Sequence, residues 1–204
     1  AESAFLTVAQ RYPRAAVAEA ALFWAGRAAL LQHEYRRANL HLARLVTDYP
    51  SGARRPDARF YQGAALAELG EFSAAILLFD ELIKQHPDHP LQEASCFRKG
   101  DSQFALGTDD PRRYEEALAT YQAILDRPDL SVPSRLEAEY KMGRCLEKMG
   151  RRPDAFDRYM SAVYLYLKSG GLPPGAGVWF TRAAFHAAAI KESEQSWRQA
   201  AAIY

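Results

Sequence analysis

The sequence predicts an all-α fold, a solenoid of stacked helix-turn-helix units, on three observations. Residues recur at a spacing of 37: Gly26, Ala38, Leu42, Leu45 and Pro50 fall on Gly63, Ala75, Phe79, Leu82 and Pro87, and one period earlier stand Ala1, Phe5, Val8 and Pro13. Such a period marks units too thin to hold a core alone, which stack on their neighbours. The punctuation inside one period is that of two helices. Gly63 and Ala75 suit the place where two antiparallel helix axes come closest. Gly70 can take the left-handed conformation that ends a helix, and Pro87 stops the second helix, having no amide hydrogen to donate. Finally, apolar residues follow the helical period throughout, with no alternating strand pattern.

The chain opens on a second helix at about 1–12. Pairs follow at 15–32 with 34–49 and at 54–69 with 72–86. The third pair, 90–107 with 112–127, breaks the rule: Gly100 to Ala117 is 17 residues where earlier units have 12. The extra five fall in Gly107-Thr108-Asp109-Asp110-Pro111, which predicts a longer turn. The fourth pair, 134–149 with 152–169, returns to 12, from Gly143 to Ala155, with Gly150 at the turn and Tyr159 in the aromatic position. The linker Gly170-Gly171-Leu172-Pro173-Pro174-Gly175 is a candidate hinge. It carries no Gly-Lys-Ser/Thr and follows no strand, so a phosphate cradle is disfavoured. In the last first helix, 176–192, Ala183 takes the place of the glycine, and its 17-residue distance to Ala200 predicts a second extended turn. The units are thus 1–14 (partial), 15–52, 53–89, 90–131, 132–174 and 175–204 (partial). Both ends fall in mid-unit, without an initiator Met or a signal peptide. Since arrays protect their ends with atypical units, the expectation is one solenoid segment of a longer protein.

This pattern resembles the tetratricopeptide repeat, whose small, small, aromatic and proline positions match Gly63, Ala75, Phe79 and Pro87 in order. The resemblance covers nearly the whole chain and implies a right-handed α-α superhelix. Repeats of 37 residues, with Phe23-Trp24 or Phe60-Tyr61 before the glycine and Tyr12-Pro13 or Tyr49-Pro50 at the end, look like the subtype of bacterial envelope proteins. That subtype includes the repeat lipoprotein of the β-barrel assembly machinery and the periplasmic coordinator of the Tol-Pal system. It implies a periplasmic or outer-membrane-associated location. The fold is a scaffold and does not by itself name a partner.

Composition narrows the function. With 204 residues, 49% hydrophobic and 25% charged, the chain can build a real core. Its 26 basic and 25 acidic residues nearly cancel, and basic runs stop at pairs such as Arg54-Arg55 and Arg112-Arg113. Nucleic acid is therefore not an expected partner. No apolar run reaches the length of a membrane span. Cys96 and Cys145 read as small buried side chains and leave the redox compartment open. No Gly-x-Ser-x-Gly or His-Glu-x-x-His occurs. The close pair His86 and His89 lies in a turn without a third ligand, a poor metal site. Glu115-Glu116 and Asp109-Asp110 belong to solvent faces or turns, where pKa shifts are least expected. The expectation is a chain without enzymatic activity, cofactor or metal.

Binding is the better expectation. The resemblance implies that first helices line the concave side, with the positions three before and one after the small residue facing inward. The former hold Phe23, Phe60, Phe97, Tyr140 and Phe180, a ladder with one aromatic rung per unit. The latter hold Arg27, Ala64, Asp101, Arg144 and Ala184. The ladder reads first as core, each ring contributing about 2 kcal/mol by burial. The functional reading is that part of it lines a groove for an apolar-anchored peptide or protein, with Arg27, Asp101 and Arg144 setting polarity at the rim. Lys and Asn, which hold a chaperone's C-terminal carboxylate in some relatives, are absent from these places. The alternative is a structural spacer or self-association module, pairing through the edge helix around Trp197 and Tyr204.

Overall fold

The computed structural model describes residues 2–13, 15–170 and 175–204. Among them are eleven α-helices: α1 (Glu2–Arg11), α2 (Ala16–Leu31), α3 (Tyr35–Asp48), α4 (Arg55–Glu68), α5 (Phe72–Gln85), α6 (Gln92–Leu106), α7 (Arg112–Leu125), α8 (Val132–Lys148), α9 (Arg152–Ser169), α10 (Gly177–Ser193) and α11 (Trp197–Ile203). No strand occurs among the described residues. Every helix lies within a few residues of its sequence expectation. Residues 171–174 of the candidate hinge lie outside the described residues, as does Ala1. The chain forms two compact units, Ala1–Ala105 and Leu106–Tyr204, so their boundary falls at the end of α6 and not at the Gly/Pro-rich linker.

In the first unit, sequential helices pack on one another from α1 through α5. One core gathers Ala9, Leu22, Phe23, Leu42, Leu45 and Ala58. A second gathers Phe60, Leu66, Ala75, Phe79 and Leu82. The small positions act as the pattern requires. A Cβ on Gly26 would stand 2.6 Å from Leu42 Cγ, and one on Gly63 would stand 2.9 Å from Phe79 Cε1. Repeats are stitched by polar contacts too. Glu19 Oε1 accepts the Arg54 N–H at 2.7 Å, capping the start of α4 from the preceding unit. The Tyr49 hydroxyl donates to the Pro13 carbonyl at 2.5 Å, tying Tyr49-Pro50 to Tyr12-Pro13.

In the second unit α7, α8, α9 and α10 pack in sequence, and α11 closes on α10. Tyr140, Tyr159, Ala162, Ala183 and Ala187 form the centre of its core. Pro133 and Pro153 open α8 and α9 within their first two positions, where a missing N–H costs nothing. Ser131 caps α8 by accepting the Ser134 N–H at 3.2 Å.

The two spacings of 17 residues resolve differently, and the last corrects the sequence reading. After α6 the turn does lengthen, to residues 107–111, but part of the insertion goes into the helices flanking it. Tyr114 packs over Gly107, where a Cβ would collide with its ring. The last unit has no extended turn: only residues 194–196 separate α10 from α11. Its geometry matches the short turns. Ser196 N–H donates to Lys191 O at 2.9 Å, as Glu34 does to Ala29, Glu71 to Leu66 and Arg151 to Leu146. Gln195 takes the left-handed conformation (φ 59°) that Gly70 and Gly150 take elsewhere. The small residue seven places before that turn is Ala188, fully buried, and not Ala183. Around Ala188, α10 runs over the same interval as α8 does around Gly143, so the last turn carries no insertion and the longer spacing came from counting from Ala183.

Candidate binding surfaces on the first helices

Phe23, Phe60, Phe97 and Tyr140 are buried, with 4–8% of their surface accessible. Phe60 packs between Tyr61 (ring centroids 5.0 Å) and Phe79 (5.9 Å). Phe180 is half-buried and stacks on Tyr166 at 4.3 Å. With Ala188 as the small residue, the place three before it belongs to Phe185, which is 57% exposed. Asp101 is half-buried on α6.

One residue after the rungs stand Trp24, Tyr61, Arg98, Lys141 and, in the corrected register, His186: Trp24 and Arg98 are exposed, Tyr61 and His186 half-buried, and Lys141 keeps only 14% of its side chain accessible. The sequence showed the first two only as halves of the pairs Phe23-Trp24 and Phe60-Tyr61.

The first unit holds a hollow of about 410 Å³, lined by Arg27, Leu30, Leu31, His33, Tyr35, Phe60, Tyr61, Ala64, Glu68 and Arg98. Two predicted site residues, Arg27 and Phe60, meet there. The Arg27 guanidinium lies over the Tyr61 ring at 3.9 Å from its centroid, within cation–π range. Phe23 stands behind, 5.8 Å from Tyr61, with Arg54 over its ring at 5.3 Å. Arg98 approaches Glu68 at 3.5 Å with both side chains nearly half exposed. Leu31 is 78% exposed at the edge.

In the second unit Tyr140 and Arg144 join a polar network that the sequence did not reveal. Tyr159 O–H donates to Glu147 Oε2 at 2.7 Å, and His186 Nδ1 stands 3.1 Å from the same oxygen. Arg144 Nη1 donates to Tyr140 Oη at 3.3 Å, and that hydroxyl lies 3.5 Å from His186 Nε2. The imidazole stacks on Tyr159 at 5.2 Å. One assignment satisfies every group: neutral His186 donates from Nδ1 to Glu147 and accepts at Nε2 from Tyr140. Burial first, with the Arg144 charge behind it, holds the imidazole below its ordinary pKa against the pull of Glu147. Burial and the Glu147 carboxylate push the Tyr159 phenol far above its ordinary value. Such a set resembles a proton relay, with the Tyr159 ring fully buried behind it. Its chemistry is that of a latch between α8, α9 and α10.

Metal chemistry finds no cluster: among the described residues no three His, Cys, Asp or Glu converge. His86 and His89 rings are 6.4 Å apart, and His89 Nδ1 accepts the Leu91 N–H. Cys145 is buried, Cys96 half-buried, and neither is in a disulfide.

Antiparallel helix pairs closed on a buried small residue, repeating with left-handed turns, define a tetratricopeptide-repeat protein, and the tetratricopeptide repeat family matches residues 137–169. The YfiO family, described as outer membrane lipoprotein, matches residues 15–130, more than half of the chain, and the chain belongs to it. Among curated proteins none matches. Solved structures share the fold. MamA 41-end from Desulfovibrio magneticus RS-1 is 18% identical, covering 91% of this chain and 90% of its own, with a TM-score of 0.68. The nearly identical TPR-like repeats of a putative kinesin light chain from Podosopora anserina are 16% identical over 89% of both chains, also at 0.68. The apo quorum sensor NprR from B. thuringiensis is 15% identical at a TM-score of 0.73, covering 99% of this chain and 56% of its own. At these identities the likeness is one of fold, the helical solenoid. No helix among the described residues is long and apolar enough to cross a membrane.

Proposed function

We propose that this chain is a non-enzymatic interaction scaffold of the bacterial cell envelope that holds a peptide or protein partner on the first-helix face, the concave side in this family. The observation that carries the reading is the hollow of about 410 Å³ in the first unit, where Leu30, Leu31 and Tyr61 offer apolar contact beside Arg27 and Arg98. Its size falls within the roughly 300–1,000 Å³ of small-molecule binding clefts, enough for an anchoring side chain or two. Buried Phe23, Phe60, Phe97 and Tyr140 hold the helices in place beneath that face, while Arg27, Asp101 and Arg144 set its polarity. Membership of an outer membrane lipoprotein family supports the envelope location.

The test is capture of envelope proteins by the immobilised chain beside Leu31→Asp, a change at an exposed position that leaves the core untouched. A partner retained by the wild type and reduced at least about tenfold by the variant, as when a charge is put into an apolar contact, is the expected result. A partner held equally by both would take binding off this face.

A second reading, self-association, is favoured by the exposed rings of Phe185, Trp197 and Tyr204, the first and last 5.5 Å apart. Light scattering distinguishes it, since a mass that stays monomeric across concentrations removes it.

A further inference from the structure

We infer that the hollow of the first unit selects an acidic apolar peptide, one in which a bulky aliphatic side chain is followed by Asp or Glu. The inference rests on the reading of this face as a partner-binding surface and names the chemistry of the partner.

Arg27 carries the argument. Its guanidinium presents five N–H donors, yet among the described residues it has no ion pair and no hydrogen-bonding acceptor; it lies over the faces of Tyr61 at 3.9 Å and Phe23 at 6.0 Å. An aromatic face attracts the cation but leaves its in-plane donors to water, so the planar fork remains available for a carboxylate. Half-burial on the ring also fixes the fork before any partner arrives, which lowers the entropy lost on binding.

The remaining lining completes a charge imbalance. Arg98 is the second cation, and Glu68 is the one carboxylate in the hollow, held by Arg98 through a single 3.5 Å contact with both ends nearly half exposed. An exposed pair of that length adds little stability and can be exchanged for an incoming acid. His33 Nδ1 is engaged with the Tyr35 hydroxyl at 2.8 Å. Two guanidinium groups thus face one carboxylate, in a chain whose overall charge is only +1. The apolar half of the recognition comes from Leu31, 78% exposed, with Leu30 and Ala64. A bare anion would leave these carbons in water, and a wholly apolar segment would leave Arg27 desolvated without an acceptor.

The probe is a fluorescein-labelled Gly/Ser dodecapeptide, amidated at its C-terminus so that no main-chain carboxylate takes part, carrying two leucines followed by two aspartates. Its counterparts replace the aspartates with lysines or serines. Fluorescence anisotropy with the whole chain should show the aspartate peptide bound at least about tenfold more tightly than the lysine one, and weakened by salt. Arg27→Gln should remove most of that preference and Arg98→Gln part of it, while circular dichroism stays unchanged. Leu31→Asp should weaken all three peptides. Equal affinities for the three, or an acidic preference that survives Arg27→Gln, would overturn the inference and leave the binding face standing if Leu31→Asp still weakens them. Binding that none of these variants alters, or no binding of any peptide, would overturn both. A peptide affinity that falls as protein concentration rises would mean a second copy occupies the hollow, and would overturn the inference as well.

Discussion

At His186 the hydrogen bonds close only for a neutral ring. Glu147 accepts from Nδ1, and Tyr140, itself holding an N–H of Arg144, can donate to Nε2. A proton on Nε2 would face the Tyr140 oxygen, deprive that hydroxyl's hydrogen of its acceptor, and add charge beside Arg144. The folded pKa therefore lies below the unfolded one. A base whose folded pKa is depressed contributes stability that is complete above its unfolded value of about 6.5 and is lost as pH falls towards the folded value. The groups facing the ring are Glu147, Arg144 and Tyr140 from α8 and Tyr159 from α9. We expect the thermal midpoint of the wild type to fall more between pH 7.5 and 5 than that of His186→Gln, which keeps polar contacts but cannot titrate in that range. Parallel curves for the two would sink the idea. None of this was legible in the sequence, because Glu147 and His186 are 39 positions apart and the extended-turn reading had put His186 out of phase. Gly26, Gly63 and Gly143 were legible, since a glycine opposite a buried Leu42, Phe79 or Tyr159 marks one spacing each time it recurs.

Among the elements, the turns decide how each helix pair closes. Four share one hydrogen-bond pattern and one left-handed residue, and nature has filled that place with Gly70, Gly150, His33 and Gln195. Glycine takes the conformation freely, whereas another L-residue pays about 1 kcal/mol or somewhat more for it. His33 recovers part of that through its bond to the Tyr35 hydroxyl, but Gln195 is exposed and its side chain bonds to none of the described residues. Gln195→Gly should therefore stabilise the second unit by about 1 kcal/mol, less the greater flexibility of glycine in the unfolded chain. Urea denaturation measures it, and a loss of stability would mean the side chain holds α11 in a way the turn geometry does not suggest. The same turns explain why the helices could be read so closely and the last turn could not. Spacing counts residues between two small side chains, and α10 offers four buried alanines, Ala183, Ala184, Ala187 and Ala188, from which to count. Only the left-handed residue distinguishes them, and glutamine does not advertise itself as one.

For the whole molecule, each compact unit holds a buried core of its own. The clusters around Leu42 and Phe79 use residues from α1 to α6, and the cluster around Tyr159 uses residues from Leu118 onward. In an array of nearest-neighbour contacts, stability is roughly a sum of repeat and interface terms, so a block holding several complete interfaces can stand alone. The first unit holds the full set from α1 through α5, with α6 tied on by the 2.6 Å bond from Lys99 to Asp80. Desolvation works against that carboxylate's charge, but Lys99 and Lys84 hold its pKa below the usual value, so the tie persists at neutral pH. A fragment ending after Leu106 should therefore give the helical circular dichroism per residue of the parent. It should unfold in urea in one cooperative transition, with a slope in the range of about 1–3 kcal/mol per molar found for small domains. A helical fragment that melts without a transition would instead mean that the core around Phe79 depends on chain beyond α6. If the fragment folds, it also isolates the hollow at Arg27, and peptide binding by the fragment at the parent's affinity would locate the site within the first unit.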